Sequence, residues 1–306
     1  MSKSKTGSAL LLLGASFIWG IAFVAQTTGM TYIGPFTFSA VRTLIAALTL
    51  VPCFRMFDRL GLTPQQADKK QTVKAGLILG VILFVAANLQ QIGLLYTTVA
   101  KAGFITSLYI VLVPIAGMLL LKKKVHQVIW VCVPIAMVGL YFLSIHQNFT
   151  MGKGDLLVLA CAVAFTSQIL VIDHFAAKVD VVRMSCLMFF VTSALTAILM
   201  FLFEKPVLSQ IAAAWWPLLY AGALSGGCAY TMQMLGQRNI EPAAASLLLS
   251  PEAMFAALAG WVLLGQTLTD REILGCTLVF AAIILSQIPW KTKQSAVPLR
   301  SDRPQR

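Results

Sequence analysis

Apolar runs of about 20 residues recur along the chain, each closed by a short polar or turn-forming break. Ten such runs can be read, at 8–28, 35–56, 73–95, 99–121, 125–144, 154–174, 181–203, 215–237, 242–264 and 271–290. The breaks include Thr63-Pro64-Gln65-Gln66, Lys122-Lys123-Lys124, His146-Gln147-Asn148, Glu204-Lys205-Pro206 and Asp270-Arg271-Glu272. A helix needs roughly 20 mostly apolar residues to cross the hydrocarbon layer of a bilayer. The pattern therefore predicts an all-α membrane protein of ten spanning helices, with little chain left for a soluble domain. The first run follows Lys3 and Lys5, as a signal peptide would, but it is long and lacks a clear small-x-small cleavage site. It also has a counterpart later in the chain and is read as the first spanning helix.

Composition agrees. Of the 306 residues, 58% are hydrophobic and 11% charged, against roughly 45–50% and 25% in soluble domains. Mean hydropathy is +0.84. One soluble core of this size cannot bury that excess, which excludes a soluble enzyme, a secreted domain and a disordered chain. The net charge of +12 would suggest nucleic acid, but its distribution argues for topology instead. With a cytoplasmic N-terminus, 18 of the 23 Lys and Arg residues fall inside and four outside (Lys101, Lys153, Lys205, Arg271), while Arg42 lies within a span. By the positive-inside rule both termini are expected in the cytoplasm, with the chain in the cytoplasmic (inner or plasma) membrane. The basic tail 291–306 is expected to meet anionic lipid, and no nucleic-acid partner is needed. Cys53, Cys132, Cys161, Cys186, Cys228 and Cys276 sit singly in different runs and read as packing residues rather than disulfides or metal ligands.

The two halves are weakly alike. At an offset of 146, Gly14–Gly20 (GASFIWG) lies over Ala160–Thr166 (ACAVAFT); at 143, Gln90 falls on Gln233, Gly93 on Gly236, Ala100 on Ala243, Ser107 on Ser250 and Leu121 on Leu264. The halves are 8–144 and 154–290, five helices each. An odd count makes the second copy enter the membrane from the opposite side. Such inverted repeats are an architecture of secondary transporters, with the substrate site near the midplane between the halves.

Four segments carry a family resemblance: FIWGIAFVAQ (17–26), GPFTFSAVR (34–42), AKAGFITSLYIVLVP (100–114) and EPAAASLLLSPEAMFAALAGWVLLGQTLT (241–269). Together they make residues 8–290 resemble an EamA-type member of the drug/metabolite transporter superfamily. Two positions depart from the family pattern. Pro251-Glu252-Ala253 stands where Leu-Glu-Pro is frequent, and Gln266 where an acidic residue is common. The resemblance implies ten helices as two inverted five-helix repeats, with helices 1–4 and 6–9 around a central cavity and helices 5 and 10 outside. It implies small metabolites such as amino acids as substrates, often exported, and no cofactor.

Polar residues inside the spans are the site candidates, since each is costly there and should face a cavity or a partner. Glu252 is the one carboxylate near the middle of a span. It reads either as a protonatable group that couples transport to protons or binds a substrate amine, or as a hydrogen-bonded residue steadying a bend at Pro251. Arg42 could meet an anionic substrate group or serve structurally, bonding carbonyls or snorkelling outward. Pro114 and Pro251 fall in corresponding helices and mark expected helix bends. Asn88, Gln90 and Gln91 cluster on helix 3. Tyr230, Gln233 and Gln237 share one face of helix 8, suited to lining a pore or to holding helices together. Trp19, Gln26, Tyr109, Ser167 and Gln168 are further cavity candidates. Lys101 reads as an exposed interfacial residue or an anion attractor. Trp215, Trp216 and Trp290 read as interface anchors. The pairs Gly76/Gly80, Gly222/Gly226 and Ala256/Gly260 permit close helix contact.

These features lead to a secondary transporter exporting a small amino-acid-like or amphipathic metabolite by alternating access. Import or proton-free exchange remains open, as does a homodimer. The alternative is a membrane-embedded enzyme acting on a lipid or isoprenoid. It would need clustered acid, base or metal ligands, whereas His126, His146 and His174 lie at span ends and no H-E-x-x-H, D-D-x-x-D or G-x-S-x-G pattern occurs.

Overall fold

A computed structural model describes residues 3–59, 67–122, 125–144, 151–264 and 269–287. The expectations for Gln266, Trp290 and the tail 291–306 lie outside the described residues. Among those described, the secondary structure is helical throughout. The elements are α1 (Lys3–Gly29), α2 (Pro35–Arg59), α3 (Lys69–Gly93), α4 (Val99–Thr106), α5 (Tyr109–Leu121), α6 (Gln127–Ser144), α7 (Lys153–Phe175), α8 (Val181–Phe203), α9 (Leu208–Ala213) and α10 (Trp215–Leu219). A π-helical segment (Tyr220–Ala229) follows, then α11 (Tyr230–Gln237), α12 (Pro242–Leu249), α13 (Glu252–Leu264) and α14 (Asp270–Gln287).

Seven helical segments are long and apolar enough to cross a membrane, and Gln127–Leu143 is a shorter apolar helix. Val99–Leu121 and Pro242–Ala259 are among the seven; the runs outside the seven are 125–144, which holds that shorter helix, 215–237, and 271–290, where Asp270–Gln287 opens on three charged residues. The run 215–237 is divided into α10, the π-helical segment and α11. The runs 99–121 and 242–264 are each interrupted, at Ser107–Leu108 and at Ser250–Pro251. At the first interruption the backbone tightens, with Leu108 N bonding Ile105 O and Ile110 N bonding Ser107 O, the three-residue spacing of a 3₁₀ turn. Pro114 is not at that interruption; it lies inside α5. Pro251 does lie at the second, and the Ser250 hydroxyl donates to Leu247 O at 2.8 Å. That is the carbonyl that a proline at 251 leaves without its usual partner.

The helices pack most extensively as α2 on α8 and the π-helical segment, α6 on α14, α3 on α7 and α8, and α1 on α13, α11 and the π-helical segment. Small residues allow this proximity. A Cβ at Gly139 would stand 2.7 Å from Gly275 O, so α6 and α14 cross backbone to backbone. One at Gly226 would stand 2.5 Å from Ala46 Cβ, seating the π-helical segment against α2. In lipid, with no aqueous driving force between helices, such close packing is what holds them together. One buried cluster joins α1, α4–α7 and α12–α14 around Leu12, Ile110, Cys132 and Leu247. A second joins α2, α3 and α8 around Leu79, Met184 and Phe189.

Candidate substrate cavity

A cavity of about 50 Å³ lies between the two clusters. That holds a few water molecules, each needing roughly 10–15 Å³. Helix α1 presents Trp19, Phe23 and Gln26 to it, at the i, i+4, i+7 spacing of one face. Arg42 comes from α2, Gln90 from α3, Gln168 from α7, and Tyr230 and Gln233 from α11. Tyr109 and Glu252 are the first residues of α5 and α13, immediately after the two interruptions. They meet there, the Tyr109 hydroxyl donating to Glu252 Oε1 at 3.4 Å. Glu252 is 5% exposed. It stands in the first turn of α13.

The lining is under-bonded. Gln26 Oε1, Arg42 Nε, Gln168 Nε2 and Gln233 Oε1 are buried without a hydrogen-bond partner, where most buried polar atoms have one. Arg42 makes no ion pair among the described residues; its guanidinium stands 5.9 Å from the centre of the Phe38 ring. Other groups are fixed. The Trp19 indole N–H donates to Ser225 O at 3.1 Å, and its ring meets Tyr230 at 4.8 Å. Gln90 Nε2 donates to Thr106 Oγ1 at 3.2 Å. The arrangement presents one cation, one carboxyl and several amides, unpaired with each other, to a single apolar-walled space.

Four candidates lie elsewhere. Asn88 Nδ2 donates to Phe84 O and, at 2.9 Å, to Thr196 Oγ1 on α8. Gln91 is fully buried away from the cavity, and Gln237 Nε2 donates to Ile169 O at 3.3 Å. Successive positions on a helix are about 100° apart, so Asn88, Gln90 and Gln91 face different neighbours. Ser167 is exposed and bonds its own helix at Val163 O. Sequence reasoning missed Phe23, Thr106, Phe165 and Ser225, which also line the cavity. The offset of 146 would have found Phe165, the position of Trp19, and that of 143 joins Tyr109 to Glu252.

Lys101 also departs from its reading as an exposed lysine. Its Nζ pairs with Asp155 Oδ2 at 2.5 Å, and the Asp155 side chain is 2% exposed. Trp215 and Trp216, on α10, are both largely exposed.

These are features of a membrane transporter: apolar helices around an under-bonded polar cavity. The profile of the EamA-like transporter family matches residues 6–145 and 152–287, and the chain belongs to that family. An uncharacterized transporter of Archaeoglobus fulgidus is 30% identical over 280 residues, covering 91% of this chain and 84% of the relative. The uncharacterized transporter YoaV of Bacillus subtilis is 23% identical over 294 residues, covering 92% and 97%. A solved crystal structure superposes with a TM-score of 0.77 at 17% identity, over 92% of this chain and 96% of the other. That likeness is one of fold.

Proposed function

We propose that the protein is a secondary transporter that exports a small amino-acid-like or amphipathic metabolite across the cytoplasmic membrane by alternating access, with Glu252 carrying the coupling proton. The observation that carries this reading is the cavity itself, where Arg42 and Glu252 face one space without pairing to each other. A substrate with a carboxylate and an amine supplies the missing partners: the carboxylate to Arg42, the amine to Glu252 and Tyr109. The cavity is contracted about these groups and must widen to admit such a solute.

The proposed architecture is ten spans in two inverted five-helix repeats, 8–144 and 154–290, with both termini cytoplasmic. Two observations support it. The packing of α3 on α7 is matched by that of α11 on α1, and that of α3 on α8 by the π-helical segment on α2. The lining residues pair at the sequence offsets, Trp19 with Phe165, Gln90 with Gln233 and Tyr109 with Glu252. Discontinuous helices at matching positions are where such carriers bind their substrates.

Uptake and exchange in proteoliposomes with a panel of labelled metabolites tests the reading. Glu252→Gln is expected to abolish dependence on a pH gradient. Coupling that survives this change removes Glu252 from the proton path. Failure to move any class of metabolite overturns the transporter assignment of the cavity.

A further inference from the structure

A second space, about 630 Å³, lies apart from the central cavity, where α2 ends and α3 and α8 begin. Its walls are of two kinds. Val51, Phe54, Val73, Leu187 and Phe190 form an apolar side, of which Val73 and Phe190 are exposed. Arg55, Lys69 and Arg183 stand at its polar end. The three cations are not equivalent. Arg183 is engaged: it pairs with Asp58 at 2.5 Å and Asp180 at 3.5 Å, and lies 5.6 Å from the centre of the Phe54 ring. Arg55 and Lys69 make no ion pair among the described residues. Asp180, the one acid among the described lining residues, is held by Arg183 and caps its own helix at Val182 N and Arg183 N. Counted with Asp58 and Asp180, which both pair with Arg183, the three cations leave a net positive charge of one, and Arg55 and Lys69 stand without ion-pair partners among the described residues at the edge of an apolar surface.

Its depth is that of the headgroups. The apolar stretch of α2 ends at Met56 and that of α3 begins at Lys69. The first turns of α3 and α8 converge there, stitched by Asp68 N to Lys178 O at 3.1 Å and Asp180 N to Thr72 Oγ1 at 3.3 Å. Their amino ends are capped by the carboxylates of Asp68 and Asp180, so the positive potential at the groove comes from Arg55 and Lys69.

We propose that this groove is a binding site for an anionic phospholipid, with the headgroup phosphate on Arg55 and Lys69 and an acyl chain along Phe54, Val73, Leu187 and Phe190. A soluble anion would satisfy the cations but leave the apolar wall uncovered. A zwitterionic lipid would cover the wall but bring its own cation to a positive site. The site joins helices from both halves of the chain, so the lipid would brace α2 and α3 against α8.

The test uses the purified full chain in neutral detergent, with binding read by native mass spectrometry and by the shift in thermal unfolding. The probes are phosphatidylglycerol, phosphatidylcholine and glycerol phosphate. Phosphatidylglycerol is expected to bind at one per chain and to stabilise, with the other two much weaker. In the double variant Arg55→Gln/Lys69→Gln its affinity is expected to fall roughly 30-fold, about fivefold per cation near a membrane surface. The control double variant Lys74→Gln/Arg238→Gln loses the same charge outside the groove and is expected to bind as the unaltered chain does. Equal binding of the two lipids, equal stabilisation by glycerol phosphate, or equal losses in the two double variants would each overturn the site. None of these outcomes bears on the central cavity, so the transport reading stands or falls separately.

Discussion

Two ion pairs of identical length give a direct test of how burial sets their worth. Lys101–Asp155 and Arg183–Asp58 both measure 2.5 Å, but the side chains of the first are 21% and 2% exposed and those of the second 37% and 36%. Asp155 also accepts from Thr97 Oγ1 at 2.6 Å and Gly152 N at 2.7 Å, tying the turn before α4 to the start of α7. Asp155→Asn keeps the shape but faces an amide N–H₂ towards donors. Hydrogen bonds to a charged group contribute about 1.5–3 kcal/mol each, and breaking a buried pair costs roughly 3–5 kcal/mol. Lys101 retains enough exposure to rehydrate, so the low end applies, about 3 kcal/mol. The coupling in a double-mutant cycle with Lys101→Met should be about 1–2 kcal/mol. The same cycle with Asp58→Asn and Arg183→Met should give below about 0.5 kcal/mol, because an exposed pair gains little over its hydration. Reversible unfolding of the micellar protein by SDS measures both cycles. Equal couplings would refute the argument from burial, and a larger one at Arg183 would invert it.

Glu204 caps the start of α2 from the far half of the chain, accepting from Phe36 N at 2.9 Å and Thr37 N at 2.7 Å; Glu204→Ala should cost about 1–2 kcal/mol, read by the same unfolding, whereas an unchanged midpoint would remove the cap. Gly139→Val should cost at least about 1–3 kcal/mol, because its Cβ would meet the Gly275 carbonyl at 2.7 Å and backbone cannot yield as a flexible side chain does; a neutral result would mean that α6 and α14 do not cross so closely. Asp68 caps α3 by accepting from Gln71 N and Lys70 N, and those bonds, Gln71 first, hold its carboxyl below the usual 3.8. With the folded pKa below the unfolded one, this contribution is present above the unfolded value and lost as pH falls through the folded one. The stability gap between the native chain and Asp68→Ala should therefore be full at about pH 6 and shrink below about pH 4; a gap that widened on acidification would reverse the sign.

Hydropathy alone determined that this is an all-helical membrane protein, because an apolar run of bilayer length has one low-energy use: a helix that satisfies its own backbone in lipid. It also placed Trp19, Gln26, Arg42, Gln90, Tyr109, Gln168, Tyr230, Gln233 and Glu252 as polar groups needing partners, and these came together at one cavity. Tertiary structure decided what depends on neighbours. Asn88 and Gln91 resemble Gln90 in composition, yet they face α8 and the packed interior, because a rotation of about 100° per residue assigns adjacent side chains to different contacts. The π-helical register at Tyr220–Ala229 accompanies the seating of Gly222 and Gly226 against Ile45 and Ala46, a long-range approach that no window of sequence contains. The first helix interruption fell at Ser107–Leu108 rather than at Pro114, since a proline removes one backbone bond but packing chooses where the helix yields. The buried partner of Lys101 was legible only in three dimensions, because Asp155 lies 54 positions away in sequence and closes on it through the folding of α7 beside α4.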